Sequence, residues 1–379
     1  DYSYIVHNKS VTEYVNHLSI QHTIRHILSN LPNRSIVLAT LYLNHFLGGF
    51  NVFGFHVGNT IIHLIMCLLI FLFVKESLHL YEHLKIQNNH KNNLNVPLIA
   101  ALLFALHPVN TQSVTYITGR TTALSACFYM ASFLFFIKGI RQQPLYKILF
   151  FIVSMMFLIA GYGSKMIILT APVMFILYYL FFTSLKETFL KHLFDSRFAK
   201  ITIQATVLSS PFILIFISRY LNFEVQSIES WRRMDFLHDK NSVLFSILPR
   251  PIIFKLFVLS VQAGDFISSS DYLLTEFKVI IFYYIKMIFF PFNQNIDPDF
   301  PVSHGIMDPG VVLSLSVILL CLFAGIYYYK KNRFIAFGIF WYFITLSLTS
   351  GVIPLRDLAV EHRLYLPLIG IVVIISVFL

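Results

Sequence analysis

Residues 57–74 read VGNTIIHLIMCLLIFLFV. Beyond Asn59, Thr60 and His63 the run holds no polar side chain, and its length approaches the ~20 apolar residues that cross about 30 Å of hydrocarbon. A helix buried in a soluble core keeps one polar face, and this one keeps none after its first two turns. The stretch therefore reads as a membrane span, and Lys75 marks the point where it leaves the hydrocarbon.

Similar runs recur at 96–109, 121–137, 146–161, 166–183, 201–218, 311–329, 334–350 and 364–379. Nine spans in a chain of 379 residues, 57% hydrophobic and 12% charged with 40 Phe, place it among all-α polytopic membrane proteins and outside soluble domains. The chain divides into a first extramembrane loop with interfacial helices at 1–56, spans at 57–218, a long loop at 219–309, and spans at 310–379. Within the long loop, 252–263 and 276–292 are apolar but carry Lys255, Lys278 and Lys286, so they are expected to lie at the interface. Because Asp1 is not Met and the last apolar run has no polar flank, the sequence reads as a piece of a longer protein.

The net charge of +10 points to the lipid bilayer and its sidedness rather than to nucleic acid. With Asp1 outside the cytoplasm, the four short cytoplasmic loops hold 13 Lys and Arg and the short outer loops hold four, Arg120, Lys165, Arg356 and Arg363. That distribution satisfies the positive-inside rule. Cys67, Cys127 and Cys321 lie within apolar runs, as small packing residues do.

The costly residues gather at the outer boundary. In AVEHRLYLPLIG, 359–370, the ionisable residues Glu361, His362 and Arg363 stand against an apolar run: either Arg363 snorkels with Glu361 as its partner, or a charged ligand is held there. In FALHPVNTQSVTYITGR, 104–120, Pro108 alone stops a helix, while His107 and Arg120 are extra to that need. In FHVGNTIIH, 55–63, His56, Asn59 and His63 share a helix face, read first as an interhelical hydrogen-bond seam, then as the lining of a water-filled cavity, and last as metal ligands, for which no third ligand has matching spacing. Lys165, in GYGSKMIILTAP, sits where a tight turn opens a helix, an anion site in outline or a snorkelling lysine. NIDPDFP, 295–301, brings Asp297 and Asp299 into a loop stiffened by Pro298 and Pro301. Thr121 or Thr122 is the expected N-cap of the span at 121–137.

Taken together these stretches resemble the membrane glycosyltransferases of the GT-C class that carry tetratricopeptide repeats, among them the transmembrane-and-tetratricopeptide-repeat O-mannosyltransferases and their bacterial relatives. The resemblance rests on DYSYIVHN at 1–8, FHVGNTIIH at 55–63, LFALHPVNTQSVTYITGR at 103–120, GSKMIILTAP at 163–172, TEFKVIIFYYIKMIFFPFNQNIDPDFP at 275–301 and AVEHRLYLPLIG at 359–370.

It implies a GT-C-like bundle of about nine or more transmembrane helices with outer-face interfacial helices, and inverting transfer of a sugar from a polyprenyl- or dolichyl-phosphate donor to a hydroxyl on a protein or glycan acceptor. Asp1 is then the catalytic base, in a motif that the family usually opens with a paired Asp-Asp. Lys165, Arg363 and Arg120 face the donor phosphate, and His56, His107, Glu361, His362, Tyr365, Asp297 and Asp299 line the substrate pocket. Gln112 stands where the family more often has Glu, tetratricopeptide repeats are expected downstream, and the resemblance fixes no cofactor while leaving a divalent cation open. The implied membrane is the endoplasmic reticulum in a eukaryote and the plasma membrane in a bacterium. The rival reading is a lipid-linked sugar flippase or transporter, which calls for charges at the bilayer midplane and an inverted repeat, neither of which the sequence displays.

Overall fold

A computed structural model describes residues 35–85, 94–183, 267, 269–295, 298–351, 355 and 357–379. Asp1, Asp297, Arg356, the expected span at 201–218 and the interfacial stretch at 252–263 lie outside the described residues.

The described residues are helical, with no strand among them. A short helix α1 (Ser35–Gly48) precedes α2 (Val52–Lys85), which runs well past the expected end at Val74. Then come α3 (Asn95–Leu106), the short α4 (Thr111–Thr115), α5 (Arg120–Arg141), α6 (Pro144–Tyr162) and α7 (Ala171–Phe182). After the undescribed segment come α8 (Ser269–Lys278), a π-helical stretch (Val279–Ile285), α9 (Lys286–Phe289), α10 (Pro309–Lys331), α11 (Arg333–Ser347) and α12 (Leu368–Phe378). Short 3₁₀ turns at Pro108–Asn110, Met166–Thr170 and Glu361–Leu364 join or open helices at one end of the bundle.

Among the described residues, three helices are long and apolar enough to cross a membrane, Val52–Tyr81, Arg120–Arg141 and Pro309–Lys331. A fourth span results if α3 and Pro108–Thr115, bent by 54° at the His107–Pro108 break, are counted together. Proline lacks the N–H that would continue the helix and pushes the residue before it out of the helical region, and His107 accordingly takes φ −70°, ψ 123°. The remaining expected spans among the described residues are apolar helices of 10–17 residues, so the described part displays fewer full-length spans than the nine expected. Of the stretch at 276–292, residues 276–289 belong to one helical rod that begins at Ser269 and is interrupted by the π turn, and 290–292 lie beyond its end.

α5 is the hub. Of its 18-residue apolar stretch 78% is buried, against 33% and 22% in α2 and α10. The two outer helices expose Ile61, Leu64 and Leu68, and Leu319, Leu320 and Phe323, an apolar belt that suits lipid rather than water. Inside, the abundant aromatics interlock: Phe133 of α5 lies 5.5 Å from Phe73 of α2, 4.9 Å from Phe175 of α7 and 5.5 Å from Trp341 of α11. The Trp341 indole N–H is satisfied by the Leu366 carbonyl at 2.9 Å.

Lipid gives helices no hydrophobic reason to associate, so close contact and polar pairs do that work. α11 crosses α12 at Gly338 and Gly370, where a Cβ added to Gly338 would stand 2.5 Å from the Gly370 carbonyl oxygen. Ser132 of α5 and Ser154 of α6 donate to each other's carbonyls at 2.8 and 2.9 Å. α5 begins at Arg120 with Gly119 as its N-cap, not Thr121 or Thr122. Glycine is required there by the close approach of the Gln112 and Ser113 carbonyls, 2.6 and 2.7 Å from where a Cβ would sit.

Candidate active site

The turns at 107–120, 161–166, 290–308 and 357–364 lie at the end of the bundle away from Arg141 and Glu76, and their polar side chains form two linked clusters.

The first is built on Arg120, 1% exposed. Its Nε donates to Asn59 Oδ1 at 2.6 Å, Nη1 to Asn44 Oδ1 at 2.5 Å and to the Thr40 carbonyl at 3.2 Å, and Nη2 to the Phe55 carbonyl at 2.8 Å. All four acceptors are neutral, so the guanidinium keeps its charge. Gly58 makes the room, because a Cβ there would meet Arg120 Nη2 and Asn44 Oδ1 at 2.8 Å each. Asn59 also donates to the Val114 and Tyr116 carbonyls at 3.1 and 2.9 Å, tying α2 to the 107–120 segment. Two residues into α5, Thr122 Oγ1 accepts from Lys165 Nζ at 2.8 Å. Lys165 is half-buried, so both outer cations of this cluster lie beside the start of α5.

Three signature stretches, 104–120, 275–301 and 359–370, meet in the second cluster. Glu361, 3% exposed, accepts from Tyr283 Oη at 3.1 Å and from the Asn295 backbone N–H at 2.9 Å. Burial pushes its carboxyl above the usual carboxylate range, while those two donors pull the other way. The His362 N–H donates to Gln112 Oε1 at 2.7 Å. His107 donates from Nε2 to the Ile288 carbonyl at 2.9 Å and accepts the Val109 N–H on Nδ1, a pairing that assigns a neutral imidazole. Gln294 reaches back to the Pro108 carbonyl at 2.9 Å. That return is made by Asn293, whose φ of 57° is a left-handed conformation asparagine tolerates better than most residues.

Arg363 does not pair with Glu361. It is bound to Glu276 of α8 at 3.2 Å, with side chains 3% and 0% exposed, and it also donates to the Leu358 carbonyl at 3.1 Å, to the Asp357 carbonyl and to Tyr272 Oη. Burial pushes the Glu276 carboxyl up and the Arg363 guanidinium opposes that shift. The pairing fails at Glu361 because the 3₁₀ turn points residues 361 and 363 in different directions, leaving Glu361 to the π segment and its following loop.

The other expected site residues divide. Asn59 and His63 form the expected seam, His63 accepting from Tyr365 Oη at 2.8 Å and donating to the Ala105 carbonyl at 3.2 Å. Tyr365 is therefore a fully buried core residue packed on Phe104, directly behind the 361–364 turn. His56 is exposed on the same helix, and Asp299 is exposed on the loop at 298–308. Among the described residues, no three His, Cys, Asp or Glu side chains gather as a metal ion would need.

Sequence reasoning missed Glu276, Tyr283, Asn295, Asn44 and Gly58. Glu276 carries a signal of the same kind as Arg363, an acid beside the apolar run 279–285, and each is the costly charge that explains the other.

Fold and site thus define a protein, helical in its described residues, with membrane-length helices and a polar, charge-bearing cluster of turns at one end of its bundle. The chain is similar to protein O-mannosyltransferases. It is 34% identical over 119 residues to protein O-mannosyl-transferase TMTC4 of Homo sapiens, covering 30% of this chain and 16% of that protein. It is 30% identical over 111 residues to protein O-mannosyl-transferase F38B6.6 of Caenorhabditis elegans, 29% of this chain and 15% of that protein. It is 28% identical over 127 residues to protein O-mannosyl-transferase Tmtc3 of Drosophila melanogaster, 30% of this chain and 13% of that protein. The aligned part thus spans under a fifth of each relative. No family model matches the chain, and no solved structure matches it.

Proposed function

We propose that this chain is the membrane part of an inverting glycosyltransferase that moves a sugar from a polyprenyl- or dolichyl-phosphate donor to a protein hydroxyl, Ser or Thr, at the extracytoplasmic face. The observation that carries this reading is the meeting of Glu361, Gln112, His362 and His107 at the bundle end that also holds Arg120 and Lys165, in a chain similar to proteins named O-mannosyltransferases. Those names make mannose the sugar to test first.

Transfer from a lipid phosphate needs a cation for the departing phosphate and a carboxylate to take the proton of the attacking hydroxyl. Lys165 supplies the contact cation, and Arg120, its charge unopposed by any carboxylate among the described residues, adds its field. Arg363 reaches a phosphate only by giving up Glu276, so its first role is to clamp the 357–364 segment. Asp1 is the base, on the strength of the acidic motif it opens. The acceptor side falls to Glu361, His362 and the exposed Asp299, with Asp297 beside it in sequence. The membrane is the endoplasmic reticulum in a eukaryote and the plasma membrane in a bacterium.

The test is mannosyl transfer from dolichyl-phosphate mannose to a Ser/Thr peptide by the full-length protein. Removing a positioned base typically costs about 10² to 10⁴ in rate. Asp1→Asn is expected to lose that much turnover while binding donor as the parent does; turnover within a few-fold of the parent removes Asp1 from the role.

A further inference from the structure

The π stretch Val279–Ile285 sits where three side chains of one rod grip one segment. In an α-helix residues seven apart share a face, which puts Tyr283 under Glu276; the i→i+5 turn adds one residue and brings Tyr284 to that face as well. The contacts follow: Glu276 binds Arg363 at 3.2 Å, Tyr283 Oη donates to Glu361 at 3.1 Å, and Tyr284 Oη accepts the Val360 N–H at 3.3 Å. Only one of the three touches a side chain proposed to meet substrate. We propose that Tyr283, aimed by the π turn, is a positioning residue that holds the Glu361 carboxylate ionised and oriented toward the acceptor side of the site. The acceptor-facing part rests on the function proposed above; the hold on Glu361 does not.

Physically, a carboxylate at 3% exposure has lost most of its water, and two donors replace it, the Tyr283 hydroxyl and the Asn295 N–H. A hydrogen bond to the charged form favours that form, so deleting one raises the proton affinity of Glu361. The other titratable groups on the elements around Glu361 are Asp271, Tyr272, Glu276, Lys278, Tyr284 and the exposed Lys286 on the rod, His107 at the head of the Pro108 turn, and Asp357, His362, Arg363 and Tyr365 on its own segment. Of these, Arg363 is engaged by Glu276, and Tyr284 is bound to the backbone. Tyr283 is thus the titratable neighbour in direct contact with the carboxylate.

Isotope-edited infrared titration of full-length protein carrying labelled glutamate tests this without any turnover, the Glu361 band being the one lost in Glu361→Gln. Tyr283→Phe is expected to raise the Glu361 midpoint by about one pH unit, a tenfold change in proton affinity. Tyr284→Phe is expected to move it by less than a third of that. If Tyr283→Phe fails to fold, replacing the Tyr283 phenol by its 3,5-difluoro form, a stronger donor of nearly the same shape, is expected to lower the midpoint instead. A midpoint unmoved by these changes, or moved equally at position 284, overturns the proposal.

Mannosyl transfer then reads the second part. The carboxylate is lost as pH falls through its raised pKa, so the acid limb of kcat is expected to shift upward with the infrared midpoint. A midpoint that moves while transfer ignores it leaves Tyr283 as the holder of Glu361 and removes Glu361 from the reaction.

Discussion

Arg120 and Arg363 are the same side chain at the same end of the bundle, both almost fully buried, and they are held in opposite ways. Arg120 spends its donors on two asparagine oxygens and two backbone carbonyls. Arg363 spends one on the carboxylate of Glu276. A guanidinium stays ionised in either setting, so Arg120 keeps a whole positive charge and the Arg363–Glu276 pair is neutral overall. Neutral acceptors orient an arginine while leaving its field available to an incoming anion; a buried carboxylate consumes that field and turns the arginine into a clamp. With Lys165 bonded to Thr122 beside Arg120, the positive end of the site is the α5 start rather than the 361–364 turn.

The largest effect separates the clamp from the field. Removing one partner of a buried ion pair leaves an uncompensated charge and typically costs about 3 to 5 kcal/mol. Arg363→Met is expected to lower stability by that order, read as the midpoint of denaturant unfolding in detergent, and Arg363→Met with Glu276→Leu to recover much of it, because the double change leaves no orphaned charge. A double variant that is the sum of two equally damaging single ones, Arg363→Met and Glu276→Leu, breaks the comparison, since the two residues would then act independently.

How much of this the sequence discloses depends on the range of the interaction. Membrane class and the rough helix positions follow from composition and local runs, which is why α5, α6 and α10 start or end within a few residues of the expected limits. The Asn59–His63 seam is legible for the same reason, helical spacing within one element. Partners across elements are not legible: Glu361 is two residues from Arg363 and Glu276 is 87 away, and proximity in sequence favours the wrong one. The Thr121 or Thr122 cap fails likewise, because a packing demand from Gln112 and Ser113 selects Gly119.

A smaller effect follows from the field. Losing one charge-assisted hydrogen bond to a phosphate costs roughly 1.5 to 3 kcal/mol, about 10- to 150-fold in Kd. Lys165→Ala is expected to weaken binding of dolichyl-phosphate mannose by that factor. The folded Arg363→Met/Glu276→Leu protein, which removes no net charge, is expected to stay within about threefold of the parent. Equal losses at both places would mean that Arg363 leaves Glu276 when donor binds, and would erase the distinction between the two arginines.

The smallest effect lies at the far end of the bundle, where Arg141 at the close of α5 meets Glu76 of α2 at 2.5 Å. This is the same pairing chemistry as Arg363 with Glu276, but the side chains are 30% and 25% exposed instead of 3% and 0%. Water then competes for both charges, salt screens them, and holding two long side chains together costs rotamer freedom. Exposed pairs of this kind are worth about 0 to 1 kcal/mol. Glu76→Gln is therefore expected to shift the unfolding midpoint by no more than that, with the shift shrinking further when salt is raised through 0.5 M, while the loss in Arg363→Met barely responds to salt because its charges are shielded from the solvent. If Glu76→Gln destabilises the protein as strongly as Arg363→Met and is equally blind to salt, burial is not what distinguishes the two pairs, and the assignment of Arg363 as a clamp loses its physical basis.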